Sequence, residues 1–358
     1  MPHAMSKPTQ IFDTDIHQSF PAGVLSKHLP AYFRESHFRL PPGIASSPVG
    51  VSRHDARPAN GGSAGSDYDL LREQHLDAFG ITYGLLTGGV LALGVHPDID
   101  FGNAYATAYN DAVQEFWLPK DKRFFASLVI NPNDPVHAAS EIRKRGGDIR
   151  IAEVLFCSAT RNPLGHRSYW PIYEAACEMN LPVSVHPGTE GRGISNGFIA
   201  GPPTTYLEWH TNLSQNYMGQ VTSLVLSGVF EKFPTMKFVA KEGGLGWIPG
   251  VLWRLDKNWK ALRSTVPFLK RPPSEYVIEH VRHTSQPVEE PEKKEHFFQL
   301  LDMIHADRTL MFSSDYPHWD NDSPAHALPN LPEELTERIY WKNADEVYRF
   351  TERAAKIS

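Results

Sequence analysis

Residues 123–158 read RFFASLVINPNDPVHAASEIRKRGGDIRIAEVLFCS, and the architecture of the whole chain follows from how that stretch is parsed. FFASLVI and IAEVLF are continuous apolar runs rather than alternating ones, as in parallel strands whose two faces both pack against apolar neighbours. Between them, Asp134-Pro135 offers a helix N-cap followed by proline at the first helical position, and Gly146-Gly147 offers a C-terminal stop. The stretch is a strand, a helix and a second strand.

The same unit recurs on both sides. Apolar runs bounded by turn residues occupy 11–17 (IFDTDIH), 81–88 (ITYGLLTG), 123–132, 149–158, 181–188 (LPVSVHPG), 236–244 (MKFVAKEGG), 276–287 (YVIEHVRHTSQP) and 309–318 (TLMFSSDYPH). Helical patterns fill the gaps at 103–119, 134–148, 168–180, 215–233, 247–262 and 289–304, and a last one spans 333–350. Eight strands alternating with helices predict a single (β/α)8 barrel of the α/β class over residues 1–358. A doubly wound sheet competes, but no GxGxxG follows the first strand. Two stretches exceed the simple alternation: 18–69 after strand 1, rich in Pro, Gly, Ser and Arg, and 189–214 after strand 5. Both leave the C-terminal ends of strands, where barrels carry their active sites, so both are expected to be working loops or, for the first, an assembly arm.

The 358 residues carry 41 acidic and 35 basic side chains, a formal charge of −6, which argues against nucleic acid as a partner. The first residues lack the apolar stretch of a signal peptide, and no run approaches the ~18 apolar residues of a membrane span. Only Cys157 and Cys177 are present, without a CxxC pair, so no disulfide framework is expected and the cytoplasm is the expected location. Cys157 reads as a small buried hydrophobe.

Chemistry gathers at the strand ends. Alternation places Asp13, Asp15 and His17 on one face of strand 1, aimed at the barrel mouth. Strand 5 ends in His186, strand 6 in Lys241-Glu242-Gly243-Gly244 and strand 8 in Asp315, with His318 beyond. Carboxylates and imidazoles converging from four strand ends make a site for a divalent ion such as Zn²⁺, Mn²⁺ or Fe²⁺ with open positions for catalysis, since thiolates are missing. Lys241 is expected to point away, toward the helix layer. Each of these residues alone has a bland reading: a lone histidine at a strand end is ordinarily just hydrogen-bonded, and Glu242 can pair with Arg254. Trp247, Trp253 and Trp259 read as packing of one helix, and EEPEKKEH as a solvated helix face.

These residues resemble the amidohydrolase superfamily, in the branch related to aminocarboxymuconate-semialdehyde decarboxylase. That branch has Asp-x-His-x-His on strand 1, histidines on strands 5 and 6 and an aspartate on strand 8; here the first motif reads Asp13-x-Asp15-x-His17. GVFEKFPTMKFVAKEGGLGWIPGVLWRLD (228–256) is similar to the family's strand-6 region, with Glu242 where a histidine is expected. The resemblance implies that Asp15, His17, His186 and Asp315 ligate one or two metal ions, and that Asp315 also manages a proton of bound water. Glu242 then bridges to a second metal or acts as a general base with a raised pKa. His210, His318 and Thr284 are expected to contact substrate. Glu208 with His210 is a candidate second metal site, His283 and Gln286 are candidate pocket residues, and Arg53, Arg57 and Arg72 are candidate carboxylate clamps.

The expected activity is hydrolysis of an amide, lactone or similar carbonyl bond of a small organic acid by metal-activated water. Three alternatives stand beside it: nonoxidative decarboxylation of an aromatic or muconate-like acid, against which the absent strand-6 histidine counts; a dinuclear iron or manganese oxygenase, which the carboxylate-rich set favours; and an inactive assembly subunit. The expected partners are a small carboxylic acid and either a second copy of the chain or a homologous subunit.

Overall fold

Eight parallel strands hydrogen-bond in chain order: β1 (Phe12–Ile16), β2 (Tyr83–Leu86), β3 (Phe124–Val129), β4 (Ile151–Cys157), β5 (Val183–His186), β6 (Phe238–Ala240), β7 (Val281–Thr284) and β8 (Leu310–Met311). The computed structural model describes residues 7–36, 50–89 and 91–357. The ring closes between its first and last strands. Thr14 N–H donates to Phe312 O at 3.2 Å, Asp315 N–H to Asp15 O at 3.1 Å and His17 N–H to Tyr316 O at 2.7 Å. With helices between the strands this is a TIM barrel, as the alternation predicts.

Phe12, Leu85, Phe125, Ala152, Val239 and Met311, from six different strands, form one buried cluster with Ala344, Val347, Tyr348 and Phe350. Residues contributed by so many strands can meet only inside the barrel, so the chain's last turns close its N-terminal end. The outer layer holds the larger cluster, in which strand residues such as Phe124, Val154 and Val183 pack against helical Ile142, Ile172 and Val221.

The local signals that define the elements act as expected in the middle of the chain. Asp134 caps the Pro135–Arg145 helix by accepting the His137 N–H at 3.0 Å, and Gly146 ends it. Three boundaries differ. Residues 276–280 belong to the Pro273–His280 helix rather than to strand 7, because Pro273 starts a helix that buries Tyr276, Val277 and His280 at helical spacing. Helix begins at Lys294 rather than 289, and the Glu289 carboxylate instead accepts the N–H groups of Leu245 and Gly246. The last helix is interrupted at Arg349, whose φ of 56° is left-handed. The described part of the first long loop carries short helices at Leu25–His28, Ala31–Glu35 and His54–Ala56, and Ser52 bridges to His318; residues 37–49 of that loop lie outside the described residues. Among the described residues, no helix is long and apolar enough to cross a membrane.

Candidate metal centre

Phe12 lies in the interior cluster, so strict alternation would turn both Asp13 and Asp15 outward. The pairing of β1 with β2 shifts register between Asp13 and Ile16, and this irregularity brings Asp15 and His17 inward while Asp13 stays on the outer side. The expectation that residues 13, 15 and 17 share one face is therefore corrected. Asp13 is wholly buried, 2.6 Å from His75 Nε2 and 2.5 Å from Ser314 Oγ, and it accepts the N–H groups of Asp15 and Ser314 at 3.1 and 2.9 Å. It ties the end of β1 to the segment that carries Asp315.

On β6 the side-chain parity also departs from expectation. Val239 faces the interior, and Lys241 two residues later follows it there rather than pointing to the helix layer. Glu242 would then face outward, but its φ of 52° is left-handed and swings the side chain back over the barrel mouth. Asp315 is left-handed too, at 60°. Such conformations cost about 1–3 kcal/mol each for residues with a Cβ and concentrate at functional sites. Thr284 Oγ1 accepts the Glu242 N–H at 3.0 Å and so holds that backbone in place.

The outcome is a buried ring of Asp15, His17, His186, Glu242 and Asp315, each offering one ligand atom, with all five atoms within 4.8 Å of one another. His17 Nδ1 lies 2.8 Å from Gly88 O and His186 Nδ1 2.9 Å from Pro187 O. A carbonyl only accepts, so in the neutral form both protons sit on Nδ1 and both Nε2 lone pairs face inward, 3.1 Å apart. Around them stand Asp315 Oδ1 (3.0 Å from His17 Nε2), Glu242 Oε1 (2.9 Å from His186 Nε2) and Asp15 Oδ2 (3.4 Å from His186 Nε2). Both Asp15 oxygens and Glu242 Oε1 are buried without a hydrogen-bond partner. Two facing lone pairs and three converging carboxylates are a donor set for a cation, and the second-sphere carbonyls fix the tautomers that ligation requires.

Without a cation, burial disfavours every charged group in the ring, and neighbours decide the sign of each shift. Against burial, Lys241, His186 and His17 hold Asp15 below the usual carboxylate range. His186 and His17 likewise hold Glu242 well below it, which corrects the expectation that its pKa is raised. Burial lowers His186, but Glu242 and Asp15 outweigh it and push the imidazole up to about 10; Asp15, Asp315 and Glu242 also raise His17. Asp315 moves the other way: burial and the charge of Glu242 raise it to about 6.

The secondary candidates separate. His318 Nδ1 lies 2.6 Å from Asp315 Oδ1 and its ring packs on that of His17. His210 pairs with Asp320 at 3.3 Å and packs against Trp319, and Glu208 is exposed and accepts the Thr204 N–H, so these two form no second metal site. His283 is buried against Trp247, away from the ring, and Gln286 donates to Asp320 O. Arg53 is engaged by Asp55, and Arg72 lies in surface ion pairs. Arg57 lines a cavity of about 680 Å³ whose wall includes His17, His318, Gln18, Tyr105 and Tyr109. Glu242 faces His186 rather than Arg254, and Trp253 is exposed rather than packed. Two buried residues were missed: Glu153, inside the barrel, and His75, beside Asp13 on its outer side. A glutamate inside the apolar run of β4 was the legible signal for the first.

The chain belongs to the amidohydrolase family, whose model, described as Amidohydrolase, matches residues 14–350. It is 24% identical over 293 residues to gamma-resorcylate decarboxylase from Polaromonas sp. (strain JS666), covering 78% of this chain and 86% of that protein. Among solved structures it is similar to 5-carboxyvanillate decarboxylase from Sphingomonas paucimobilis, at 21% identity and a TM-score of 0.68, covering 95% of this chain and 99% of that one. It is also similar to a dihydroxybenzoic acid decarboxylase from Polaromonas sp. JS666, solved with bound manganese and the inhibitor 2-nitroresorcinol, at 19% identity and a TM-score of 0.68 over 96% of this chain and 98% of that one. The chain is thus an enzyme of the amidohydrolase superfamily. The expectation of hydrolysis is overturned by these relatives, which are decarboxylases.

Proposed function

We propose that this enzyme removes CO2 from a hydroxylated aromatic carboxylic acid, without an oxidant, at a divalent metal centre, with manganese the first candidate. The observation that carries this reading is the buried five-residue ring, whose His17 lines a cavity, in a chain whose relatives are aromatic acid decarboxylases. Asp15, His17 and His186 would hold the metal, with Glu242 and Asp315 completing its surroundings. When bound, the ion supplies a Lewis-acid anchor for the substrate carboxylate and a neighbouring hydroxyl oxygen.

The two acidic groups nearest that anchor have opposite tasks. His186 and His17 hold Glu242 ionised in the metal-free ring, and the bound cation would do so in their place, so it cannot donate a proton. Asp315, raised to about 6 in the metal-free ring, keeps a minor protonated fraction near neutral pH and is the acid of the pair. It delivers that proton to the ring carbon bearing the carboxylate; the bond to the carboxylate carbon then breaks, its electron pair returns to the ring and CO2 leaves. Protonation by Asp315 thereby does the work for which a strand-6 histidine is not needed. His318, which lines the cavity and touches Asp315, restores the proton. Arg57 holds a further anionic group of the substrate in the cavity.

The test is to offer the manganese-loaded protein a panel of ortho-hydroxybenzoates in D2O. CO2 release with one deuterium at the vacated carbon is expected. A folded, metal-loaded protein that releases CO2 from none of them would overturn the reading.

A further inference from the structure

Beneath Asp15 the barrel holds a second polar group that the proposed reaction does not use. The Lys241 ammonium is wholly buried, 2.8 Å from Glu153 Oε1, 2.9 Å from Thr14 O, 2.9 Å from Thr87 Oγ1 and 3.7 Å from Asp15 Oδ1. These oxygens come from β4, β1 and the end of β2, while the lysine comes from β6, so four segments of the barrel converge on one cation. Glu153 is itself fixed on all sides: Ser127 Oγ donates to Oε1 at 2.6 Å, Tyr348 OH donates to Oε2 at 2.9 Å, and Ser184 Oγ donates to Oε2 as well. Two carboxylates and two neutral oxygens around a point are what a hard metal ion would select, and Asp15 is shared with the ring above.

We infer that the Lys241 ammonium is a tethered monocation filling a second cation site, and that it limits the centre to one divalent ion. The size of the ring agrees. Ligands on opposite sides of an ion with bonds of about 2.0–2.2 Å lie about 4.4 Å apart at most, close to the 4.8 Å spread of the five ligand atoms. Two ions about 3.5–4 Å apart would spread their outer ligands much further. The space into which a second ion could expand is the one that Lys241 takes.

This inference rests on the reading of the five-residue ring as a metal centre, and the test separates the two. The full-length chain, loaded with excess Mn²⁺ and desalted, is analysed for metal and by low-temperature electron paramagnetic resonance. One manganese per chain with an uncoupled Mn²⁺ spectrum is expected. Two per chain with a spin-coupled spectrum overturn the role of Lys241 but not the metal centre, whereas none overturns both. In Lys241→Ala the cage is vacated, and methylammonium chloride is expected to raise the melting temperature by several degrees more than the same concentration of tetramethylammonium chloride, which is too large to enter. The parent protein is expected to respond equally to the two salts. Equal responses of a folded Lys241→Ala protein would overturn the proposal, and the stoichiometry of the parent decides it if the variant does not fold.

Discussion

The Nε2 atoms of His17 and His186 face each other at 3.1 Å, while each ring turns its Nδ1 to a backbone carbonyl, Gly88 O and Pro187 O respectively. Two imidazoles locked in this way cannot hydrogen-bond to one another in their neutral forms. Either protons or a metal must occupy the space between them. In the metal-free protein a proton does, since the neighbouring carboxylates raise His17 and carry His186 up to about 10.

Metal binding therefore competes with protons. His186, carried up to about 10, is protonated at pH 7 in the metal-free state and must be neutral in the loaded one, and His17 is raised beside it. Affinity for Mn²⁺ is expected to fall as pH is lowered below about 10, by up to tenfold per pH unit for each proton displaced. Titration calorimetry at pH 7 in buffers of different ionisation enthalpy should register the release of one or more protons per ion. A binding enthalpy that does not depend on the buffer would refute the assignment of His17 and His186 as ligands.

Asp315→Asn keeps the size of the side chain and removes the transferable proton. Turnover is expected to fall by about 10³-fold or more, within the scale expected for losing a positioned general acid together with a charge of the centre. Melting behaviour should stay near that of the parent. A variant that still released CO2 at a tenth of the parental rate would mean that the proton comes from elsewhere.

The barrel and the identity of the ring were legible in the sequence, and the orientation of individual side chains was not. Continuous apolar runs and caps such as Asp134-Pro135 are local, and local chemistry fixed those elements. Asp15, His17, His186, Glu242 and Asp315 were legible because polar residues stand where apolar strands end. Parity failed at two places for physical reasons. The register shift between Asp13 and Ile16 depends on pairing with β2, and the left-handed turn at Glu242 is held by Thr284 from β7. Neither partner is near in sequence. Reading parity from Phe12 and Val239, the apolar residues that fill the interior, would have placed Asp13 and Lys241 correctly.

Arg57 lines the cavity without an ion-pair partner among the described residues, unlike Arg53. If it holds an anionic group of the substrate that does not react, its loss should weaken binding more than it slows chemistry. Arg57→Met is expected to raise KM by about tenfold or more, as for a charge-assisted hydrogen bond worth about 1.5–3 kcal/mol, with kcat changed by less than threefold. Steady-state kinetics on a substrate with and without a second acidic group should show the effect only for the former. Equal losses for both would remove Arg57 from substrate recognition.

Asp13 gives a prediction about the scaffold rather than the chemistry. Its carboxylate joins His75, Ser314 Oγ, the Ser314 N–H and the Asp15 N–H, all buried between the barrel wall and the outer layer. Asp15, on β1, and Asp315, in the segment after β8, flank this junction, so the clamp sets the spacing between two members of the ring. Removing one partner of a buried pair leaves the other without a counterpart, at a cost of about 3–5 kcal/mol. For Asp13→Ala that corresponds to a fall in melting temperature of order 10 °C. His75→Phe is the more telling variant, because phenylalanine keeps the stacking on Tyr316 while deleting the hydrogen bond to Asp13. It should lower the melting temperature and also weaken Mn²⁺ binding severalfold, although His75 is not in the ring. A destabilised His75→Phe protein with unaltered manganese affinity would show that the clamp supports the barrel without setting the geometry of the centre.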